Sequence, residues 1–403
     1  MRRGYLAAIM VVLVAASSAW ADEEPDGSMR TWLDADYLLW WLSPAPSGPA
    51  LLTTGTLTNP TTLGSGILGT SGTSILAGNN YLNTGPYSGF RIGGGWINCA
   101  NSFGLEGNFF YLAQQGTQET FSSDGSGNPL LARPIVDARS GSETVLFVSA
   151  PNAFSGSFTV NSTTSLFGFD ANMLLPWYRC YACDDQDLGY YVTPVAGFRY
   201  LNLADDLTMS QSSNVLPGGV AFFDGVPITF GGNVSLTDDF RTINQFYGGQ
   251  IGVKAGLTWW RFTLNGTAKV ALGSMREEAN LNGSTTAYNS SFGVTQTVPG
   301  GLYALSSNIG SYTRNMLAVV PEGTLNFAVE ITPQIKLMLG YTMLYVSNVA
   351  QPGNLIDRSI DRTELPSSQS YNPAIPGVQR PGFTWSGSDF WAQGINVGLS
   401  LRF

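Results

Sequence analysis

Side chains able to do chemistry are few in this sequence. Histidine, the commonest general base at neutral pH, is absent from all 403 residues. What remains is a scatter of single charges set between apolar or glycine neighbours: Asp34, Asp36, Glu106, Asp170, Glu322 and Glu330, and Arg91, Arg199, Lys254, Arg261, Lys269 and Lys336. Two carboxylates on one side of a cleft can divide acid and base duties between them. The competing reading is that opposite charges pair and fill a narrow interior. The second is preferred, and no enzymatic activity is expected. The three cysteines are Cys99, Cys180 and Cys183. Cys180-x-x-Cys183 fits a redox pair, half a zinc site or a local disulfide. A local disulfide is preferred, because neither a βαβ context nor a second ligand pair accompanies the motif, and Cys99 is left odd. The acidic pairs Asp205-Asp206 and Asp238-Asp239 follow no calcium-ligand spacing and read as solvated loop charges. No metal and no cofactor is implied.

The elements that place these charges have a period of two. From Trp391 to Phe403 one parity reads Trp, Gln, Ile, Val, Leu, Leu, Phe, and the other is small or polar. The same alternation sets Leu33, Tyr37, Leu39 and Trp41 against Asp34 and Asp36, and Phe90 and Ile92 against Arg91. It sets Leu105, Phe109 and Tyr111 against Glu106, and Phe167, Phe169 and Met173 against Asp170. Val192, Phe198 and Tyr200 oppose Arg199, and Ile251 and Val253 oppose Lys254. Trp260, Phe262, Leu264 and Val270 oppose Arg261 and Lys269, Leu325 and Phe327 oppose Glu322 and Glu330, and Leu337 and Leu339 oppose Lys336. Ten strands result, with twelve as the fallback if 143–160 or 207–236 adds a hairpin.

Apolar outside and charged inside is the polarity of a membrane barrel, opposite to that of a soluble one. Short links near 98–101, 179–188, 258 and 332–334 alternate with long ones at 43–85, 124–155, 203–239, 274–313 and 349–387, as an up-and-down barrel with long extracellular loops requires. Aromatics of the apolar parity form two girdles: Trp96, Trp177, Trp260 and Phe403 at the short-turn ends, and Trp41, Tyr345 and Trp391 at the long-loop ends. The uncharged stretch after Tyr37 holds a Gly/Thr/Ser/Pro-rich loop with Leu51, Leu52, Ile67, Leu68, Ile75 and Leu76. It is expected to be a flexible surface loop, the alternative being a lid folded into the barrel mouth.

Composition agrees. Only 12% of residues are charged, 12% are aromatic and 48 are glycine, which is poor material for amphipathic helices. Arg2 and Arg3, the apolar run Leu6–Ala16 and Ala19-Trp20-Ala21 read as a secretory signal over residues 1–21, leaving a barrel over 22–403. The formal net charge of −9 argues against nucleic acid. The expected surroundings are the lipid of the outer membrane and, through the last strand and its terminal aromatic, the barrel-assembly machinery. Oligomeric state is left open.

Several segments together resemble one family, the putative β-barrel porin family 7. They are Ala35-Asp36-Tyr37-Leu38-Leu39-Trp40-Trp41, Gly197-Phe198-Arg199-Tyr200-Leu201-Asn202, and Asn244-Gln245-Phe246-Tyr247-Gly248-Gly249-Gln250-Ile251-Gly252. Ser307-Asn308-Ile309-Gly310, Gly340-Tyr341-Thr342 to Ser347-Asn348-Val349, and Asp389-Phe390-Trp391-Ala392-Gln393-Gly394 complete the set. The resemblance implies an outer-membrane barrel, and its porin label says little about cargo. Porin-like passage of small solutes through a narrow lumen is the leading functional expectation. A structural or surface-interaction barrel displaying long loops is the alternative.

Overall fold

A computed structural model describes residues 29–55, 66–82, 85–98, 103–176, 178–180, 188–374 and 377–403. The expected signal segment, Trp177, Cys99 and Cys183 lie outside the described residues, and of Cys180 only the backbone is described. Ten long strands follow one another: β1 (Met29–Leu42), β2 (Tyr87–Asn98), β3 (Phe103–Ser122), β4 (Phe154–Leu174) and β5 (Leu188–Val215), then β6 (Asn233–Trp259), β7 (Phe262–Asn289), β8 (Gly310–Thr332), β9 (Ile335–Ala350) and β10 (Gly387–Arg402). Each pairs antiparallel with the next. The ring closes where β10 returns to β1, from Trp32 opposite Arg402 to Leu42 opposite Ala392. Within the lipid-facing band closure satisfies the wall's backbone without an open edge, which a bilayer demands. No helix among the described residues is long and apolar enough to cross a membrane.

The alternation read from the sequence sets the wall. Leu33, Tyr37, Ile92, Phe109, Phe198, Ile251, Leu264, Leu272, Leu325, Leu339 and Val397 are all exposed on the outer face. Their inward neighbours Asp36, Glu106, Asp170, Arg199, Gln250, Lys269, Lys336 and Asn396 are buried. On β7 the outward residues are apolar or small from Phe262 to Leu272 and then become Arg276 and Glu278. That run is about the 9–11 residues a tilted strand needs to cross a bilayer.

The central strands do not stop there. β5 and β6 stay paired up to Asn214 opposite Asn233, and β6 and β7 up to Asn233 opposite Tyr288. The barrel wall therefore rises roughly 40 Å beyond the lipid, from about fifteen further residues per strand at the usual rise and tilt. This corrects two expected loops, 203–239 and 274–313, which are mostly strand. Their polar outward residues, such as Asp206, Thr208 and Ser210, face water rather than lipid and so lack the apolar parity that marks a membrane strand. Segment 207–236 prolongs β5 and β6 and adds no strand to the wall, so the count stays at ten.

The true connections at this end fold together. Leu52–Thr54 and Ser74–Ala77 from the first loop, Leu131–Asp137 and Glu143–Ser149 from the second, and Ser359–Ile360 from the last form a five-stranded sheet across the mouth. Leu51 and Leu52 are fully buried, with Leu76 packed against the same core. The flexible-loop expectation fails for Leu51, Leu52, Leu76 and Leu82, which complete a core that the second and last loops share, whereas Ile75 is exposed. Gly353 lies so close to the Pro46 carbonyl that a Cβ there would stand 2.0 Å from its oxygen, so only glycine lets these two loops meet.

Candidate functional site: a filled lumen

Inward side chains stack in tiers from the short-turn end outward. Trp32, Ile97, Leu174 and Val195 form an apolar floor. Above it lies a charged belt. Arg91 Nε donates to Asp36 Oδ2 at 2.8 Å, the two residues being directly opposed on β2 and β1. Lys254 on β6 reaches across the lumen to bond Glu106 on β3, whose other oxygen accepts from Asn172 Nδ2 at 3.0 Å. Asp170 and Arg199 oppose each other on β4 and β5, and Lys269 and Glu322 on β7 and β8. These four join in one quartet. Lys269 Nζ lies 3.0 Å from Asp170 and 3.5 Å from Glu322, and Arg199 bonds Glu322 as well as Asp170.

Neutral amides complete the belt. Asn108 donates to Asp170 at 3.0 Å, Asn172 donates to it at 2.6 Å, and Gln250 donates to Asn172. Asn396 donates to Thr342 and accepts from the Trp40 indole, both at 2.8 Å. Burying charge is tolerable only when pairs and hydrogen bonds are nearly complete. They nearly are: Arg199 Nη1, Gln250 Oε1 and Asp34 Oδ1 are the belt atoms left without a partner among the described residues.

A second apolar tier then crosses the lumen. Leu38, Trp40, Leu112, Leu166, Leu201 and Phe246 are all 3% exposed or less, and Met275, Val320 and Leu344 join them. Over it, Asn244 of β6 holds the end of β9, its Nδ2 donating to Ala350 O at 2.9 Å and its Oδ1 accepting from Ala350 N at 2.7 Å. Asp205 sits at this level, outside the lipid band, with Thr164 Oγ1 donating to it at 2.5 Å. Burial pushes its carboxyl up to about 7, the Thr164 bond offsetting part of that and the Asp206 charge adding to it.

The outermost tier joins wall to loops. Arg133, from the second loop, is fully buried and donates to Asp238 Oδ2 at 2.8 Å, its guanidinium set over the Phe158 and Tyr303 rings. The other oxygen of Asp238 accepts the backbone N–H groups of Leu302, Tyr303 and Ala304 at 2.7–2.9 Å. Period two thus splits both acidic pairs, turning Asp205 and Asp238 inward and Asp206 and Asp239 outward. The reading of all four as solvated loop charges fails for the inward two.

The remaining expected site residues fall as follows. Asp34 faces inward opposite Ser400. Glu330 and Lys336 oppose each other at the short-turn rim, 3.4 Å apart, with Lys336 also donating to Thr263. Arg261 is a correction. It is exposed in the two-residue turn Trp260-Arg261 and donates to Ile331 O at 3.0 Å. Alternation ends at a hairpin turn, and Trp260 takes a φ of 52° there, as the turns that match strand twist require.

Of the girdle residues, Trp41, Trp260 and Phe403 are exposed, while Trp96, Tyr345 and Trp391 are half-buried on the outer face. A further ribbon of aromatics went unread. Tyr37, Phe90, Tyr111 and Phe167 are successive register partners on β1 to β4, and Tyr200 and Tyr247 continue the ribbon at 5.0 Å on β5 and β6. The amides of the belt and the apolar lumen tier were also missed. Their signal was available, since Trp40, Leu38 and Phe246 lie on the charged parity.

A closed ten-stranded wall with a lipid-facing band and a packed interior defines an outer-membrane type of β-barrel. The chain belongs to the family described as putative beta barrel porin-7, whose model matches residues 32–403. No curated protein matches it. Among solved structures it is similar to the outer membrane protease OmpT from Escherichia coli, with 9% identity, 96% of this chain and 100% of that chain covered, and a TM-score of 0.37. A Pseudomonas aeruginosa FadL homologue shows 9% identity over 93% and 90%, with a TM-score of 0.18. The P. putida toluene transporter TodX shows 9% over 94% and 90%, with a TM-score of 0.21. Likenesses this distant carry no argument about activity.

Proposed function

We propose that this protein is a non-catalytic structural barrel whose membrane part does not conduct and whose prolonged wall and folded loops form a rigid extracellular head. The observation behind this reading is the apolar tier around Trp40, Leu38 and Phe246, which fills the lumen directly above the charged belt. A hydrated ion moving along the axis would have to displace those side chains and break the Asp170–Arg199–Lys269–Glu322 quartet. Ten strands leave little room in any case, since eight-stranded barrels are filled by side chains and wide aqueous channels need about sixteen. The absence of histidine removes the commonest route to hydrolysis, and the belt carboxylates Asp36, Glu106, Asp170 and Glu322 are committed to cations and amides. Passage of small solutes, the other reading, takes its support from the family's porin description, which is a fold-level label.

Liposome swelling tests the choice. Vesicles reconstituted with the protein should swell no faster in isotonic arabinose than empty ones. Swelling that scales with protein content would favour the porin reading.

A further inference from the structure

β8 and β9 separate before either ends. Their ladder runs from Thr332 opposite Ile335 to Glu322 opposite Leu344, whereas β8 extends on to Gly310 and β9 to Ala350. Above Glu322, no backbone hydrogen bond joins them among the described residues. The break falls at Pro321, which has no N–H to give to β9. Two side chains of β9 take the place of the missing rungs. Ser347 Oγ accepts from Val319 N at 2.9 Å, and Asn348 Nδ2 donates to Leu317 O at 2.7 Å. A bulge aims them: Val346 opposes Phe390 and Val349 opposes Ser388, which leaves both residues against the single Asp389 of β10. Asn348 takes a φ of 54° there, a left-handed conformation that asparagine tolerates.

This seam lies at the upper edge of the lipid-facing band, where Val319 opposes Leu272 and the outward Leu317 is 67% exposed. Immediately behind it are Ala318, Val320, Val346 and Val349, buried members of the apolar lumen tier. Past the seam, Asn244 grips both backbone groups of Ala350 from across the lumen. The end of β9 is thus held on its β8 side by side chains alone, and a stretch with few ladder bonds is where a fold opens first. We propose that Ser347, Asn348 and Asn244 act as one latch on Val346–Ala350, and that its release parts the wall sideways, between β8 and β9, towards the outer leaflet. The gap exposes the apolar tier, so an acyl chain and not water is what fills it. The charged belt and the floor keep their partners when it opens, so this device is separate from passage along the axis.

Residue-resolved amide exchange by NMR, on the full-length deuterated barrel in lipid nanodiscs, tests the latch. The reporters are Val319 N–H, held by Ser347, and Ala350 N–H, held by Asn244. Ser347→Ala should speed exchange about tenfold at Ala350 as well as at Val319, and Asn244→Ala should do the same in reverse, because one opening exposes both. Asn348→Gly, which keeps the left-handed backbone, should also speed both. Leu325, within the intact ladder, should not change in any of them. Vesicles carrying Ser347→Ala should swell in isotonic arabinose no faster than those carrying wild type. If Asn244→Ala does not fold, Ser347→Ala, on the outer wall, decides. Acceleration confined to the amide whose own partner was removed would mean that the three side chains are separate ties, and faster swelling would mean that the wall opens to water. Either result overturns the proposal.

Discussion

At the scale of single residues, the cost of an inward charge depends on what it meets. Arg199 is 2% exposed and bonds both Asp170 and Glu322. Arg199→Ala leaves Asp170 and Glu322 to share the single cation Lys269 in a packed interior, and it should lower unfolding stability in lipid vesicles by about 3–5 kcal/mol. An unchanged denaturation midpoint would mean that water already solvates the belt. Asp205 makes the complementary case. Its carboxyl is raised to about 7 in the folded protein against an ordinary 3.8, so the folded state holds the proton more tightly. Stability from this group is therefore full below about pH 4 and declines as pH rises to 7, by a total on the order of 4 kcal/mol. Asp205→Asn keeps a Thr164 partner and should flatten the pH 4–7 slope of stability relative to wild type. Parallel slopes in the two proteins would show that Asp205 ionises freely. Neither role was legible from residue type alone: Asp205 and Asp206 are chemically identical neighbours, and only the strand's extension beyond the lipid turns one inward.

At the scale of strands, parity decides tolerance. Leu339 lies on the outer face near the middle of the lipid-facing run of β9 from Ile335 to Tyr345, and it is 55% exposed to lipid. Leu339→Arg should cost about 2–4 kcal/mol, as cations do at the bilayer midplane. Asn282 has the same outward orientation on β7 but lies above the band, beyond Arg276 and Glu278. Asn282→Arg should be nearly neutral in the same folding assay, and equal damage from the two would misplace the membrane. The ten strands could be read from sequence because lipid on one side and a polar belt on the other enforce a strict period of two. Where both faces of β5–β7 leave the lipid, the outward parity becomes Thr, Ser, Asn and Asp, and strand looks like loop. The belt could likewise be read in part. Asp36 with Arg91 and Asp170 with Arg199 are cross-strand partners, whereas Lys254 with Glu106 spans the lumen between strands that are not neighbours, a pairing that only closure and stagger determine. Arg261 was misplaced because a two-residue turn breaks the alternation on which its parity rested.

At the scale of the whole molecule, the interior is packed at three levels: an apolar floor, a charged belt with an apolar tier above it, and a head that five loop strands and the Arg133–Asp238 pair fasten to the wall. That head is continuous with the wall, so the rigidity of the membrane barrel carries outward into it. Single-channel recording in planar bilayers reads directly whether the lumen is filled. Purified wild-type protein, inserted in 1 M KCl and held at moderate voltage, should give no uniform current steps above the bare-membrane baseline. Stable, reproducible steps of one size, persisting in Arg199→Ala with altered ion selectivity and undiminished stability, would contradict it and make the lumen an open pore.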